Sequence, residues 1–509
     1  MLTKWTGRLP LNKFILIISI MNFLFFHYGF FDFVLKNIDY TSFLGLLMVI
    51  SLLILMVLAN FFAFYLVLFL TRFVGKVLLS VTFILSAVSV YFINTYGVIV
   101  DESMIGNVFN TNYDESSSYF SIKWMLYVLL MGILPSVFIF KTKIDYPRPK
   151  RFFKTLGFTF LPILLIVALN AKNILWIDNH SKYLGGLAMP WAYSVNTALY
   201  FTHKAQENRT EIPLPDAQIA DDEKSVMVLV IGESARSQNF SLYGYSKNTN
   251  PLLSQVQGLR HFPATSCATY TTAGVQCILS HENSGELYEI LPNYLHRSGV
   301  NVIWRTTNTG EPPVKIEKYQ NGDVLKQKCQ GEACDYDEIL LTQLREEILH
   351  SDKKKTLIIL HTSTSHGPQY SKKYPASFQK FSPVCNSVEL GNCAQEELIN
   401  AYDNTIVYTD YLLHKIITEL QSLEGYTSSM IFVSDHGESL GEKNLYMHGL
   451  PMTIAPKEQY EIPFIVWTSE GAKPIIPTTP LTQNHVFHSV LDFLSIRSAV
   501  FKKEMSVYK

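Results

Sequence analysis

Charge is scarce in this 509-residue chain. Asp, Glu, Lys and Arg together supply 17% of it and hydrophobic residues 48%, whereas a soluble domain is about one quarter charged. That deficit excludes an intrinsically disordered chain and a purely cytoplasmic enzyme. Cysteine is sparse too, with six in all and none before Cys267, which excludes a small disulfide-stapled mini-protein. No internal repeat or low-complexity tract occurs. The basic residues form no stripe on a folded domain, so a nucleic-acid partner is not expected.

The missing charge has a location. Residues 1–170 hold thirteen Lys/Arg and seven Asp/Glu, a balance of +6, so the total of −1 leaves −7 for residues 171–509. Five apolar stretches occupy the first part: Phe14–Val34, Phe43–Leu70, Val77–Tyr96, Trp124–Phe140 and Thr155–Leu169. A helix needs about 20 apolar residues to cross a bilayer, so the last two are short, although flanking Lys and Arg can snorkel. The first stretch is long and no A-x-A site follows it, which favours a span over a signal peptide. Five transmembrane helices are therefore expected.

The loops orient them. Lys4, Arg8 and Lys13 precede the first span, Arg72 and Lys76 follow the second, and Lys141, Lys143, Arg148, Lys150, Arg151 and Lys154 follow the fourth, against only Lys36 and Lys123 in the opposite loops. The positive-inside rule then predicts a cytoplasmic N-terminus, and an odd number of spans places everything after Leu169 outside. Asn60 and Pro135 are poor grounds for a transport path. The expected organisation is a membrane domain over 1–169, a connector rich in interfacial aromatics over 170–222, and an outer domain over 223–509. One outer loop, Asp101 to Val108 with Thr111 and Glu115, is rich in hydrogen-bonding groups, as any solvated loop would be.

All six cysteines, Cys267, Cys277, Cys329, Cys334, Cys385 and Cys393, fall in the part expected outside, as a disulfide framework predicts. Fifteen connectivities are possible; the grouping into three close pairs favours the sequential one. The absence of C-x-x-C spacing weakens a zinc–thiolate alternative. Short apolar runs at Ser225–Ile231, Val300–Trp304, Thr356–Leu360, Met430–Ser434 and Pro463–Trp467 read as buried strands, and Gln395–Leu423 has helical periodicity. That alternation predicts an α/β domain with a largely parallel sheet.

Three of these strands end in potential ligands: Glu233 after the first, His361 and then His366 after the third, Asp435 and His436 after the fourth. Carboxyl ends of strands in an open α/β sheet form the crevice where sites are built. One such residue is ordinary loop chemistry, but several converging Glu, Asp and His residues suit zinc, and a carboxylate-rich set also takes manganese. Gly437 would let the backbone turn sharply after Asp435-His436. His448, taken singly, is a surface or structural histidine as readily as a ligand. Thr271 lies among hydroxyl residues ahead of a short helix, where an N-cap would also be expected; the same place can stabilise an alkoxide or a phosphoryl group.

In order along the chain, Gly232-Glu233-Ser234-Ala235-Arg236, Asn239, Tyr243-Gly244-Tyr245, Asn248-Thr249-Asn250-Pro251, the Cys267–Cys277 block, Ser365-His366-Gly367-Pro368, Tyr402-Asp403-Asn404-Thr405, Ser434 through Glu442 and His448-Gly449 resemble the bacterial phosphoethanolamine transferases that modify lipid A. These belong to the alkaline phosphatase and sulfatase-like superfamily. The resemblance runs over nearly the whole chain. It implies a helical membrane domain of about five spans followed by an α/β sulfatase-like periplasmic domain, anchored as a monomer in the inner membrane. It also implies one tightly held Zn2+ on Glu233, Thr271, Asp435 and His436, with Thr271 as nucleophile. His366 and His448 would bind the phosphoryl group or a second, weaker zinc.

By the same resemblance Asn308 would contact substrate, and Asn107, Thr111 and Glu115 would line the lipid pocket. The three sequential cysteine pairs match the family's disulfides. A lysine found slightly downstream of the Asn308 position in some members is replaced by Gly310-Glu311-Pro312-Pro313. The implied reaction moves phosphoethanolamine from phosphatidylethanolamine to lipid A or another envelope acceptor, with resistance to cationic antimicrobial peptides as a consequence. A lipoteichoic-acid-type glycerol phosphate transferase and a catalytically silent membrane scaffold are the alternatives. A sulfatase proper needs Cys or Ser in a Pro-Ser-Arg context, whereas Thr271 is followed by Thr272-Ala273-Gly274.

Overall fold

The computed structural model describes residues 7–111, 119–170, 176–177, 180–207, 211–388, 390–476 and 480–508. The chain divides into two units, Met1–Gly106 with Tyr119–His203, and Asn107–Ser118 with Lys204–Lys509.

The first unit is helical: α1 (Leu11–Phe26), α2 (Tyr28–Asn37), α3 (Phe43–Thr71), α4 (Phe73–Tyr96), α5 (Glu102–Asn110, its last residues counted with the second unit), α6 (Ile122–Lys141), α7 (Pro149–Leu169), α8 (Ser181–Leu187) and α9 (Trp191–Glu207). Among the described residues α3, α4, α6 and α7 are each long and apolar enough to cross a bilayer, and α1 with α2 makes a fifth span only as a pair bent by 63°. The first apolar stretch is thus a broken helix, interrupted at His27. The two stretches that looked short are helices of 20 and 21 residues, about 30 Å at 1.5 Å per residue. Their charged ends, Lys141 on α6 and Lys150, Arg151 and Lys154 on α7, are helical too, which apolar counting misses.

Some buried polar groups of this unit pair with one another. Asn60 donates to Asn22 Oδ1 (2.8 Å) and accepts from the Trp191 indole (2.9 Å), so Asn60 ties helices together where an unpaired amide would be costly. Met189 and Ala192 sit in the same apolar core as Phe14, Phe64 and Phe83. Of the segment expected as a connector over 170–222, the part up to His203 groups with the first unit and the part from Lys204 with the second.

The second unit is built on an eight-stranded sheet among the described residues: β1 (Ser225–Gly232), β2 (Arg260–Thr265), β3 (Asn301–Thr306), β4 (Lys318–Asn321), β5 (Lys355–His361), β6 (Thr427–Ser434), β7 (Glu461–Thr468) and β8 (Leu481–Thr482), in the order β8-β2-β7-β6-β1-β5-β3-β4. The run β6-β1-β5-β3-β4 is parallel, and β7 is antiparallel to both β6 and β2. Every residue of β1 and β5 is buried, as parallel strands covered on both faces require. The expected strands are five of the eight. Those without an apolar run in the sequence lie toward the edges: β4 is polar and half-exposed, and β2 alternates and carries Pro263. Helices α10 (Thr271–Leu279), α11 (Gln395–Gln421) and α12 (His485–Phe493) complete the parts that matter below.

Register places the chemistry. Ile231 pairs with His361 on one side and Val433 on the other, and Gly232 pairs with Ser434. Glu233 and Asp435, each one residue past its strand, consequently emerge side by side at the carboxyl edge.

Candidate metal and phosphoryl-transfer site

Four groups converge at that edge. Thr271 Oγ1 lies 3.4 Å from Glu233 Oε2 and 3.3 Å from His436 Nε2, and His436 Nε2 lies 3.4 Å from Asp435 Oδ2 and 3.6 Å from Glu233 Oε1. Glu233, Asp435 and His436 are wholly or almost wholly buried. A tetrahedral ion with bonds of about 2.0–2.1 Å needs ligand atoms about 3.3–3.4 Å apart, which is close to these separations. Asp435 Oδ1 accepts from the Ser234 and His436 N–H groups (3.0 and 2.7 Å), whereas Oδ2 is buried with no hydrogen-bond partner. An orphaned carboxylate oxygen facing two other ligand-type atoms fits a cation.

The electrostatics agree. Burial pushes the Asp435 carboxyl far above the usual carboxylate range, and the neighbouring Glu233 charge adds to it. Burial also opposes ionisation of Glu233, but attraction to neighbouring histidine, His366 foremost, and the bond from the Ser234 hydroxyl hold this carboxyl low. Burial lowers His436 to about 3, with His448 contributing, so its ring is neutral at physiological pH. Its Nδ1 contacts the Gly437 carbonyl at 2.8 Å. A carbonyl only accepts, so Nδ1 carries the proton and Nε2 presents its lone pair to the cluster.

Thr271 opens α10, whose N-cap is Tyr270. Its hydroxyl is thus directed at the cluster instead of capping the helix. What lets α10 come this close is Gly274, where a Cβ would stand 2.2 Å from the Asp435 carbonyl oxygen. Gly274→Ala should therefore cost about 3 kcal/mol by overpacking and displace Thr271. Unfolding temperature and turnover should both fall, and a variant with wild-type turnover would show that α10 can move without consequence. Gly437 serves a similar end. The chain bends at Asp435 just before it without a positive φ at Gly437, and a Cβ there would sit 2.1 Å from the Glu458 carbonyl.

A second layer flanks this cluster. One ligand atom each from Glu233, His366 and His448 lie within 4.8 Å of one another, and the same holds for His436, Glu438 and His448. His448 Nδ1 is bound to Glu438 Oε2 (2.8 Å), and Glu438 Oε1 accepts from the Tyr370 hydroxyl (2.6 Å). Asn308, expected to contact substrate, spends its amide on Glu233 Oε2 (2.6 Å) and the Thr362 carbonyl (3.0 Å). Asn107, which counts with this unit, has its side-chain nitrogen 3.7 Å from where a Cβ of Gly449 would stand, and the Thr111 hydroxyl bonds the Asn107 carbonyl (2.7 Å). Glu115 lies outside the described residues.

Disulfides join Cys267 to Cys277, Cys329 to Cys334 and Cys385 to Cys393. The first ties the segment before Thr271 to α10. Two residues of the family blocks to which the sequence assigned no role also support the cluster: Ser234, at φ 52°, whose hydroxyl donates to Glu233 Oε1 (2.6 Å), and Tyr402, whose hydroxyl donates to the Ser234 carbonyl (2.7 Å). A non-glycine residue held in the left-handed region beside a ligand is strain of the kind found at functional sites. Gln483 was missed as well; it donates to the Ser434 and Asp435 carbonyls (3.0 and 2.7 Å) and accepts from the Cys267 N–H (3.0 Å). Its only sequence signal is a polar residue ahead of an apolar helix.

Comparison with known proteins agrees with this architecture. The family "Phosphoethanolamine transferase EptA/EptB" matches residues 56–205 and the family "Sulfatase" matches residues 225–496. The phosphoethanolamine transferase EptA of Helicobacter pylori is 44% identical over 445 residues, covering 84% of each chain, and the phosphatidylethanolamine transferase Mcr-1 of Escherichia coli is 31% identical, again covering 84% of each. The structure of the lipooligosaccharide phosphoethanolamine transferase EptA from Neisseria meningitidis superposes with a TM-score of 0.89 at 27% identity, covering 99% of both chains. An N-terminal half of membrane helices, a sulfatase-like α/β half and this degree of identity lead to one conclusion: the chain belongs to the phosphoethanolamine transferase family and is a transferase enzyme.

Proposed function

We propose that this enzyme moves phosphoethanolamine from phosphatidylethanolamine to a phosphate of lipid A through a covalent intermediate on Thr271, with zinc held by Glu233, Thr271, Asp435 and His436. The observation that carries this reading is the 3.3–3.6 Å spacing of the four ligand groups around an orphaned carboxylate oxygen. Bound there, zinc would supply Lewis acidity, lowering the pKa of the threonine hydroxyl and countering phosphoryl charge.

In the first step Thr271 Oγ1 forms a bond to phosphorus and the bond to the glycerol oxygen breaks. The hydroxyl proton passes, through a site base, to that oxygen, and diacylglycerol leaves. In the second step a lipid A phosphate oxygen attacks the phosphothreonine, a diphosphate linkage forms, and Thr271 recovers its proton. His366 and His448 lie with Glu233 in one cluster, their ligand atoms within 4.8 Å, and would donate hydrogen bonds to the equatorial oxygens or carry the proton. Glu438 orients His448 by holding its Nδ1. The N-terminus of α10 adds its positive dipole end to the same phosphoryl group.

The charge balance of +6 up to residue 170 and −7 beyond it supports a cytoplasmic N-terminus and a periplasmic catalytic unit on the inner membrane. Three disulfides suit an oxidising compartment. Masking lipid A phosphates would weaken cationic peptide binding, and a single chain holds all the proposed groups, so the enzyme acts as a monomer. Mass spectrometry of lipid A from cells with and without the gene tests the acceptor. A phosphoethanolamine adduct that depends on the gene is expected; an adduct confined to some other envelope molecule would reassign the acceptor, and no change in any envelope phosphoethanolamine would overturn the reading.

A further inference from the structure

Behind the site lies a carboxylate to which the proposed chemistry gives no part. Asp337, 4% exposed, opens a short turn, Asp337–Leu341. Its Oδ1 accepts the Thr307 hydroxyl (2.5 Å) and the Ser363 hydroxyl (3.2 Å). Its Oδ2 accepts the Ser363 N–H (2.8 Å) and the Thr364 hydroxyl. No basic side chain is among these partners. A carboxylate taken out of water without a counter-charge is costly unless its lone pairs are satisfied, and here four donors satisfy them.

Those donors come from two loops that both reach the site. Thr307 follows β3 and directly precedes Asn308, whose amide bonds Glu233 Oε2 and the Thr362 carbonyl. Ser363 and Thr364 follow β5 and begin the turn to His366, whose N–H donates to the Ser363 carbonyl (3.2 Å). One buried anion thus grips the residue before Asn308 and the two residues that lead into the His366 turn. Neutral hydroxyls alone would suffice to hold two loops on a surface. A charge-assisted acceptor shared between them sets their separation more stiffly.

We propose that Asp337 is a positioning residue for the transfer reaction: it touches no reacting atom, and it sets Asn308 against Glu233 and His366 across from it. The inference rests on the reading of Asn308 and His366 as working parts of the site. Displacement of such groups by about 1 Å can cost about 100-fold in rate.

Asp337→Asn preserves the shape of the side chain but turns one acceptor oxygen into a donor. With the amide nitrogen in the Oδ2 place it meets the Ser363 N–H donor against donor; in the Oδ1 place the Thr307 and Ser363 hydroxyls must turn to accept; in both orientations the charge-assisted acceptor is lost. Thr307→Val removes the bond to Asp337 and the long one to the His361 carbonyl (3.5 Å) with little change in volume, and Thr307→Ser keeps the hydroxyl. The full-length enzyme in detergent micelles, with phosphatidylethanolamine as donor, gives kcat, KM, bound zinc and unfolding temperature for each variant. The expected result is a kcat lowered about 10- to 100-fold in Asp337→Asn, a smaller loss in Thr307→Val, near wild-type turnover in Thr307→Ser, and KM changed much less than kcat. If Asp337→Asn does not fold, the Thr307 pair decides.

A merely structural role would lower the unfolding temperature and leave the kcat of the folded fraction within about twofold of wild type, and that result overturns the proposal. So does a Thr307→Ser variant as impaired as Thr307→Val. Asn308→Ala and His366→Ala, assayed alongside, separate the two levels. If they lose activity while Asp337→Asn keeps it, only the positioning role fails. If they too keep it, the reading of the site fails and the positioning role with it.

Discussion

Alanine at position 271 is expected to abolish phosphoethanolamine transfer, with a loss of roughly 10,000-fold or more, as when other covalent nucleophiles are removed. The substitution deletes only a hydroxyl and a methyl group from a half-buried residue at the start of α10, so the fold should survive. The side-chain oxygen of Thr271 lies 3.4 Å from Glu233 Oε2 and 3.3 Å from His436 Nε2. Mass spectrometry of lipid A and of the enzyme after incubation with donor alone would read the outcome twice. Wild type should gain the mass of one phosphoethanolamine group on the peptide carrying Thr271, and Thr271→Ala should gain none. An unchanged lipid A adduct with the alanine variant would sink the assignment. Thr271→Ser keeps the oxygen and should retain partial activity.

Removing the metal should have an effect of similar size. Two buried carboxylates and an imidazole face one another across 3.4–3.6 Å, and burial with the neighbouring Glu233 charge drives Asp435 toward its protonated form, a cost that a bound cation would offset. Asp435→Asn should therefore lower zinc affinity by more than about 100-fold, beyond the usual cost of losing a supporting residue, and turnover with it. Chelation of the wild type should do the same reversibly. With zinc present at about 1,000 times its Kd, its removal withdraws about 4 kcal/mol of apparent stability, seen as a fall in the unfolding temperature of the catalytic unit that added zinc reverses. Elemental analysis of the purified enzyme provides the independent check. A chain that purifies active with no transition metal would refute the metal centre.

Much of this was legible before any coordinates. The runs Ser225–Ile231, Thr356–Leu360 and Met430–Ser434 are apolar because parallel central strands are covered on both faces, and such runs are visible in one dimension. The ligand-type residues just past them, Glu233, His361 and His366, and Asp435 with His436, were visible for the same reason. The edge strands β4 and β8 and their half-exposed neighbour β2 were not, since partly exposed strands impose no apolar run. In the membrane unit, apolar counting found the stretches but missed the break at His27 and the charged ends of α7, because a helix continues for as long as its backbone bonds do, whatever the polarity of its flanks.

Roles were harder to read than positions. Asn308 stands as a polar loop residue in the sequence, and only the contact with Glu233 turns it into a support for a ligand. Glu438 looks like the tail of an Asp-His-Gly-Glu run, yet it orients His448 ten residues further on. Ser234 stands in a family block with no role assigned to it, and Gln483 is marked only as a polar residue ahead of an apolar helix. Each owes its part to the direction of a side chain, and that direction is set by register and packing against residues far away in the chain.

The sequence by itself determined the division into an apolar, positively balanced half and an acidic half holding all six cysteines, the α/β class, and the ordered blocks that mark the family. These follow from local composition and from strand and helix periods, which depend on neighbours along the chain. Only the tertiary structure decided that Thr271, Glu233, Asp435 and His436 stand 3.3–3.6 Å apart. That spacing arises because β1 and β6 pair in parallel with Gly232 opposite Ser434, and because Gly274 lets α10 rest on the Asp435 carbonyl. Both are contacts between distant segments, and no stretch of the chain read alone contains them.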